Sequence, residues 1–215
     1  MTPTATFLLV ITVVVAVCDW VAVGLARRSA EYVFKPLTMV VLIGAAVVLE
    51  PPSAPTRSWF VVALVFSLFG DVFLMLADQK RWFVPGLASF LVGHLAYIVG
   101  LAVDGLDGVA AGVGAGLMIA AAAVIAPRLL RGVRSTDRRL VAPVIAYVSV
   151  ISVMVVCAIG STSVLAAVGA LLFYLSDLTI GWSRFVGAVP QSRLVIIVTY
   201  HAAQVLLVGS LVVSS

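Results

Sequence analysis

The chain has 215 residues, of which 63% are hydrophobic and only 10% are charged, and its mean hydropathy is +1.25. An ordinary soluble domain is about half apolar and about one quarter charged, so this composition excludes a soluble globular protein. The formal net charge of +4 does not indicate nucleic-acid binding, because the basic residues are distributed among short connections between apolar runs.

The apolar runs are continuous rather than alternating, which predicts membrane-spanning helices and not a barrel. The first run has no Lys or Arg before Arg27 and is long, so it predicts a spanning helix rather than a cleaved signal peptide. The connections are too short for a further domain, and the sequence predicts one all-α membrane domain over residues 1–215. The eight predicted helices cover residues 5–26, 34–50, 58–77, 83–103, 109–127, 140–159, 163–182 and 193–213.

Lysine and arginine are distributed unevenly over the predicted loops. The positive-inside rule places the rich loops in the cytoplasm, and therefore both termini outside the cell (inner) membrane. One side of the predicted bundle carries only Arg57. The other side carries twelve basic residues, namely Arg27, Arg28, Lys35, Lys80, Arg81, Arg128, Arg131, Arg134, Arg138, Arg139, Arg184 and Arg193.

Two aspartates and the two histidines suggest an internal repeat. Helix three carries Asp71 and helix seven carries Asp177, each after an aromatic residue and a small residue. The following helices carry His94 and His201, which come 23 and 24 residues after those aspartates. This spacing predicts two four-helix halves related by a pseudo-twofold axis near the membrane normal.

Ionisable side chains within spanning helices are the candidate site residues, because a charge at a helix centre in lipid costs about 2.5–3.5 kcal/mol. The candidates are Asp19, Asp71, His94, Asp177 and His201. At about 1.5 Å of rise per residue, all five lie in one slab displaced toward the cytoplasmic side. Helical spacing adds polar neighbours on the same faces, namely Ser67 for Asp71, Tyr174 for Asp177, Tyr97 for His94 and Gln204 for His201.

Structural interpretations stay open for several of these residues. Asp19 has no polar partner on its own helix, and a simple pairing with Lys35 would account for it. The histidines could be satisfied within the core, and the tyrosines could be packing residues. The tryptophans lie near the ends of the predicted spans and are typical of interfacial anchors; they are Trp20, Trp59, Trp82 and Trp182.

Five short motifs, in this order and spacing, resemble those of the YhhN-type lysoplasmalogenases over nearly the whole chain. The resemblance implies hydrolysis of the vinyl ether bond of a lysophospholipid, the lysoplasmalogen, within the membrane. It implies no organic cofactor and no metal, and neither nucleic acid nor a known protein partner. The motifs are Phe34-Lys35-Pro36-Leu37, Gly70-Asp71, Gly93-His94-Leu95-Ala96-Tyr97, Leu175-Ser176-Asp177 and Thr199-Tyr200-His201-Ala202-Ala203-Gln204.

Vinyl ether hydrolysis begins with protonation of the alkenyl carbon, and water then attacks the oxocarbenium ion. Two carboxyl groups can divide these tasks, as they do in glycosidases. We therefore expect Asp71 and Asp177 to be catalytic, with His201 or His94 assisting. Lys35, together with Arg184 or Arg193, is expected to bind the headgroup phosphate. Further substrate-binding candidates are Asp19, Tyr97, Tyr174, Tyr200 and Gln204.

Two other functions fit part of the pattern. A proton-coupled transporter or channel would also place Asp and His residues at mid-membrane. An intramembrane metallohydrolase would use the same residues as ligands. A serine hydrolase is disfavoured because the sequence contains no Gly-x-Ser-x-Gly motif.

Overall fold

The computed structural model describes residues 2–76 and 79–212, and this part of the chain is helical. Each of the eight α-helices is long and apolar enough to cross a membrane. A single 3₁₀ turn, Arg138–Leu140, lies between the fifth and sixth. The helices are α1 Pro3–Gly24, α2 Arg28–Val48, α3 Ala54–Met75, α4 Gln79–Ala102, α5 Gly108–Thr136, α6 Val141–Gly160, α7 Val164–Phe185 and α8 Ser192–Ser210.

The predicted all-α bundle of eight spanning helices is confirmed, and the chain is a multi-pass membrane protein. Large apolar side chains face outward along the helices, and Phe7, Val109 and Ile119 are each more than 60% exposed. Such side chains are stable there because lipid surrounds the bundle. The predicted ends of helix three at residue 77 and of helix eight at residue 213 lie outside the described residues.

Polar caps and prolines define several helix starts. Ser53 accepts a hydrogen bond from the backbone N–H of Thr56 and begins α3, directly after Pro51 and Pro52. Asp107 accepts a bond from Ala110 at 2.7 Å and begins α5 in the same way. These caps supply acceptors for N–H groups that have no partner within the helix. Short polar connections therefore suffice to separate the spans.

The predicted end of helix five at residue 127 is wrong, because α5 continues to Thr136. Pro127 lies within the helix, and the arginines that follow it are good helix formers. Arg131 donates from Nε to the carbonyl of Pro127 at 2.9 Å, within the same helix. Asp137 ends α5 and its side chain caps the 3₁₀ turn that follows. The arginines predicted to form a loop thus extend α5 by two to three turns.

The predicted start of helix two at residue 34 is also too late, since α2 begins at Arg28. Ala30 and Glu31 favour a helical first turn, and a negative side chain there is stabilised by the helix dipole. Lys35 consequently lies within α2 rather than at its start. This position allows its long side chain to reach the neighbouring helix α3.

Helix contacts follow a repeated pattern that agrees with the predicted halves. In each half the consecutive helices pack on each other, α1 on α2 and α3 on α4, then α5 on α6 and α7 on α8. Across the halves, α4 packs on α6 and α8 packs on α2. Glycines permit the closest approaches: a Cβ added at Gly93 would lie 3.1 Å from the Ala63 carbonyl, and one at Gly169 would lie 3.1 Å from the Ala203 carbonyl.

Candidate active site

Asp71 is held by two partners from other helices. Lys35 of α2 lies 2.9 Å from its Oδ1, and the Tyr200 hydroxyl of α8 donates to its Oδ2 at 2.6 Å. The Asp71 side chain is only 2% exposed. The predicted neighbour Ser67 makes no hydrogen bond within the described residues. Asp71 therefore joins three helices through a buried ion pair and a phenol.

Asp177 has a different set of neighbours. The Tyr147 hydroxyl of α6 donates to Asp177 Oδ2 at 2.6 Å, and His94 Nε2 lies 3.6 Å from the same oxygen. The latter distance is longer than a hydrogen bond. The Asp177 side chain is 10% exposed, which makes it more accessible than Asp71. The predicted hydroxyl partner, Tyr174, makes no hydrogen bond to this carboxylate; Tyr147 takes that place.

The two histidines lie in different surroundings. His201 Nδ1 accepts a hydrogen bond from Trp20 Nε1 at 3.2 Å. Trp20, which the sequence predicted as an interfacial anchor, thus directs its indole N–H at α8 within the bundle. His94 is fully buried, and its ring meets Tyr147 and Phe173 edge-on at centroid distances of 5.3 and 4.7 Å.

Tyr97 and Gln204 bind each other rather than the histidines on their own helices. The Tyr97 hydroxyl donates to Gln204 Oε1 at 2.5 Å, and both residues are fully buried. Each follows its histidine by three positions, so they are equivalent positions of the predicted repeat. Neither residue lines either of the two cavities described below. Their mutual hydrogen bond therefore gives no support to the prediction that they bind substrate.

Asp19 is completely buried, and neither of its carboxylate oxygens has a hydrogen-bond partner within the described residues. The predicted pairing of Asp19 with Lys35 is wrong, because the Lys35 ammonium pairs with Asp71. The carboxylate within ion-pair distance of Lys35 is thus on α3 rather than on α1.

An aromatic cluster lies between the surroundings of the two aspartates. The Phe173 ring is 5.4 Å from the Tyr200 ring and 4.7 Å from the His94 ring, measured between centroids. Tyr200 binds Asp71, whereas His94 lies beside Asp177. Within the described residues, no hydrogen bond joins the two carboxylates. They form two centres connected through aromatic side chains.

Asp177 and Tyr147 line a narrow pocket of about 70 Å³. Of the residues that line it, only Asp177 is charged, and the others are mostly aliphatic or aromatic. Tyr174 also lines this pocket. An apolar cleft with one carboxyl group and a phenol can hold a hydrocarbon chain beside a proton donor. Its walls are Leu74, Phe83, Leu87, Phe90, Ile125, Leu129, Val144, Tyr147, Val148, Ile151, Tyr174, Asp177, Leu178, Ile180, Gly181 and Phe185.

A second cavity, of about 700 Å³, lies among the connections at the opposite ends of the helices. Its lining includes Asp104 and Asp107 but none of the predicted site residues. Asp104 accepts hydrogen bonds from Ser53 and Thr56, and Asp107 caps α5, so both carboxylates have structural partners.

The three basic residues predicted to bind phosphate have different partners in the structure. Lys35 pairs with Asp71, and Arg193 pairs with Glu31. Arg184 instead stacks its guanidinium on the ring of Phe83, a pocket residue, with 3.6 Å between Cζ and the ring centroid. Among the described residues, no group of three His, Cys, Asp or Glu side chains has a spacing that could hold a metal ion.

Tyr147 is the site residue that sequence reasoning missed. It is the one tyrosine of α6, in the middle of an otherwise aliphatic span, and a hydroxyl at that depth needs a partner. That signal was present in the sequence, but the identity of the partner depends on how α6 is rotated against α7. Spacing along one helix favoured Tyr174 instead.

Comparison with known proteins gives one family. The model of the YhhN family matches residues 30–211. The human protein named lysoplasmalogenase TMEM86B is 31% identical over 190 residues, covering 88% of this chain and 78% of that protein. Lysoplasmalogenase TMEM86A of Bos taurus is 36% identical over 181 residues, covering 80% of this chain and 71% of that protein. A lysoplasmalogenase of Mycobacterium tuberculosis is 33% identical over 181 residues, covering 79% of this chain and 66% of that protein. No solved structure matches the chain.

Proposed function

Because this chain belongs to the YhhN family, we propose that it hydrolyses the vinyl ether bond of lysoplasmalogens to a fatty aldehyde and a glycerophospho-headgroup compound. The lysoplasmalogenases named among its relatives, from mammals and from a bacterium, support this activity. They favour a hydrolase over the transporter or channel that the buried Asp and His residues would also fit.

The observation that carries the proposal is the carboxyl group of Asp177 in an apolar pocket. The reaction needs an acid next to the alkenyl carbon, and the rest of the lipid at that point is hydrocarbon. Asp177 is the carboxylic residue that lines the pocket, whereas Asp71 is buried behind Lys35 and Tyr200. The alkenyl chain would lie along the aliphatic walls, which bury a hydrocarbon favourably.

Asp177, in its acid form, would donate its proton to the alkenyl carbon, and its carboxylate would then face the oxocarbenium ion. Water adds to the carbon bonded to oxygen, and its released proton returns to the carboxylate. The hemiacetal then breaks its bond to the glycerol oxygen and gives aldehyde and alcohol. The Tyr147 hydroxyl holds the carboxyl group in place at 2.6 Å, and His94, at 3.6 Å, would assist the water.

Asp71 has a different part in this scheme. Its ion pair with Lys35 and its bond from Tyr200 join α2, α3 and α8 behind the aromatic cluster. The Tyr200 ring packs against Phe173, and Phe173 packs against His94. Asp71 would therefore position the wall that holds His94 beside Asp177, and we assign the acid role to Asp177.

The orientation proposed from the sequence completes the scheme. The basic connections would face the cytoplasm, and both termini would lie outside the cell membrane. The end of the pocket that carries Phe83 and Phe185 belongs to the basic side, because Arg184 and Arg193 flank it in the chain. A lysophospholipid of the inner leaflet would then enter with its headgroup toward the cytoplasm.

Substitution of Asp177 tests the proposal. Asp177→Asn keeps the shape of the side chain but removes the acid, so we expect aldehyde release from a lysoplasmalogen to fall by about a hundredfold or more. The measurement is aldehyde production by the purified full chain in detergent. Asp104→Asn, in the second cavity, is the matched control and should keep the wild-type rate. A wild-type rate in Asp177→Asn would contradict the proposed acid.

A further inference from the structure

Arg184 lies near the end of α7, beside the end of the pocket that Phe83 and Phe185 line. Its side chain is exposed, and its guanidinium rests on the Phe83 ring. Within the described residues, it makes neither a hydrogen bond nor a salt bridge. Stacking on an aromatic face fixes the plane of a guanidinium and leaves its N–H donors available for a planar or tetrahedral anion.

Four other cations on the basic side each have at least one partner in the structure. Lys35 pairs with Asp71, and Arg193 pairs with Glu31. Arg128 and Arg131 of α5 donate to backbone carbonyls of their own helix. Arg184 differs from these four cations because none of its N–H donors has an acceptor within the described structure.

The spacing between Arg184 and Asp177 fits the substrate. Seven residues separate them, which puts both on one face of α7 at about 10 Å along the axis. In a lysoplasmalogen, seven bonds separate the protonated alkenyl carbon from phosphorus, or roughly 8 Å when extended. Helix side chains lean toward the N-terminus, and the Arg184 side chain is longer than that of Asp177. The guanidinium therefore reaches back toward Asp177, which brings the separation of the two groups closer to that in the lipid.

We infer that Arg184 binds the phosphodiester of the lysophospholipid and so places its vinyl ether at Asp177. This inference rests on the proposed function and adds to it a specificity-determining residue and a requirement for phosphate. A lipid without phosphate would still enter the apolar pocket, but nothing would hold its ether bond at the carboxyl group.

The test measures binding and hydrolysis separately, in neutral detergent. Binding uses 1-alkyl-glycerophosphoethanolamine, a saturated ether that cannot be hydrolysed by this route, against 1-alkylglycerol, which lacks the phosphate. Hydrolysis uses the corresponding 1-alkenyl compounds. The proteins are wild type, Arg184→Gln, Arg184→Lys and, as a matched control on the basic side, Arg134→Gln.

We expect Arg184→Gln to weaken binding of the phosphate-bearing ether by about tenfold or more, and to raise KM for its alkenyl form similarly, since charge-assisted hydrogen bonds are lost. Affinity for 1-alkylglycerol should not change. The affinity of Arg184→Lys for the phosphate-bearing ether should lie between those of Arg184→Gln and wild type. Arg134→Gln should bind this ether as tightly as wild type. Wild type should bind the phosphate-bearing ether tighter than 1-alkylglycerol.

Equal losses on both ethers, or no loss in Arg184→Gln, would overturn the inference. So would competition by inorganic phosphate or by diacyl phosphatidylglycerol as strong as that of the lysolipid, which would mean a general anion site. If the phosphate-bearing ether binds through Arg184 but wild type releases no aldehyde, the phosphate site stands and the proposed hydrolysis fails.

Discussion

The ion pair between Lys35 and Asp71 lies where neither side chain has much access to solvent. An ionised carboxylate in such a place depends on its partners, because burial of an unpaired charge is costly. The Tyr200 hydroxyl supplies a second contact. This arrangement gives Lys35 a structural role, and its binding of the headgroup phosphate stays a prediction.

Lys35→Met should therefore lower the free energy of unfolding by about 3–5 kcal/mol, because it leaves Asp71 buried without its cation. The double variant Lys35→Met, Asp71→Asn should recover most of that loss, since it removes both charges. Thermal or denaturant unfolding of the purified chain measures both. If Lys35 bound phosphate instead, the double variant would be stable but would show a raised KM for the lysolipid.

The sequence identified the ionisable residues but not most of their partners. The sequence singled out four ionisable residues because burying an ionisable side chain in lipid costs free energy. They are Asp71, Asp177, His94 and His201. The contacts of Trp20 with His201, and of Tyr147 with Asp177, join different helices. Such contacts depend on the rotation and height of each helix, which spacing within one span does not contain.

Helices α7 and α8 approach each other closely at Gly169. A Cβ there would lie 3.1 Å from the Ala203 carbonyl oxygen and 3.2 Å from the Leu207 nitrogen, both backbone atoms. Backbone atoms of a packed helix cannot turn away as a side chain can. The pair α7 and α8 carries both Asp177 and Tyr200, so this contact also determines the geometry of the site.

Gly169→Ala should lower the free energy of unfolding by about 1–3 kcal/mol, because the added methyl group forces the two helices apart. Gly116→Ala is its control: a Cβ at Gly116 meets no atom within 4 Å. There the better helix propensity of alanine should leave stability unchanged or raise it by up to about 1 kcal/mol. Equal effects of the two substitutions in unfolding experiments would contradict the close packing.

Helix ends were predicted less well than helix existence. The sequence ended helix five at Pro127 and began helix two at residue 34, whereas α5 continues to Thr136 and α2 begins at Arg28. In both places charged residues stay helical beyond the apolar run. Hydropathy detects the part of a helix that lipid surrounds. The part that extends beyond the lipid can be predicted only from helix propensity and capping residues.

For the whole molecule, composition predicted a membrane protein, and the long continuous apolar runs predicted helices rather than a barrel, the other structure that satisfies the backbone in lipid. The pocket was not predictable in the same way. Its walls come from α3, α4, α5, α6 and α7, and their meeting depends on how the two halves pack across α4 and α6.

The orientation of the bundle can be measured by labelling single cysteines. In a chain with Cys18→Ala and Cys157→Ala, Thr162→Cys should react with an impermeant maleimide in intact cells, because the proposed topology puts the α6–α7 connection outside. Gly187→Cys, in the connection after α7, should react only after the membrane is opened. The reverse labelling pattern would invert the topology.

The pocket has a hydrocarbon interior and a guanidinium at its edge, so the two products of the proposed cleavage would leave it in different directions. The long aldehyde is soluble in the bilayer and can leave sideways, whereas the glycerophospho fragment, having lost its chain, dissolves in water. Each product would thus enter a different phase, and neither would stay to compete with the next lysolipid for the pocket.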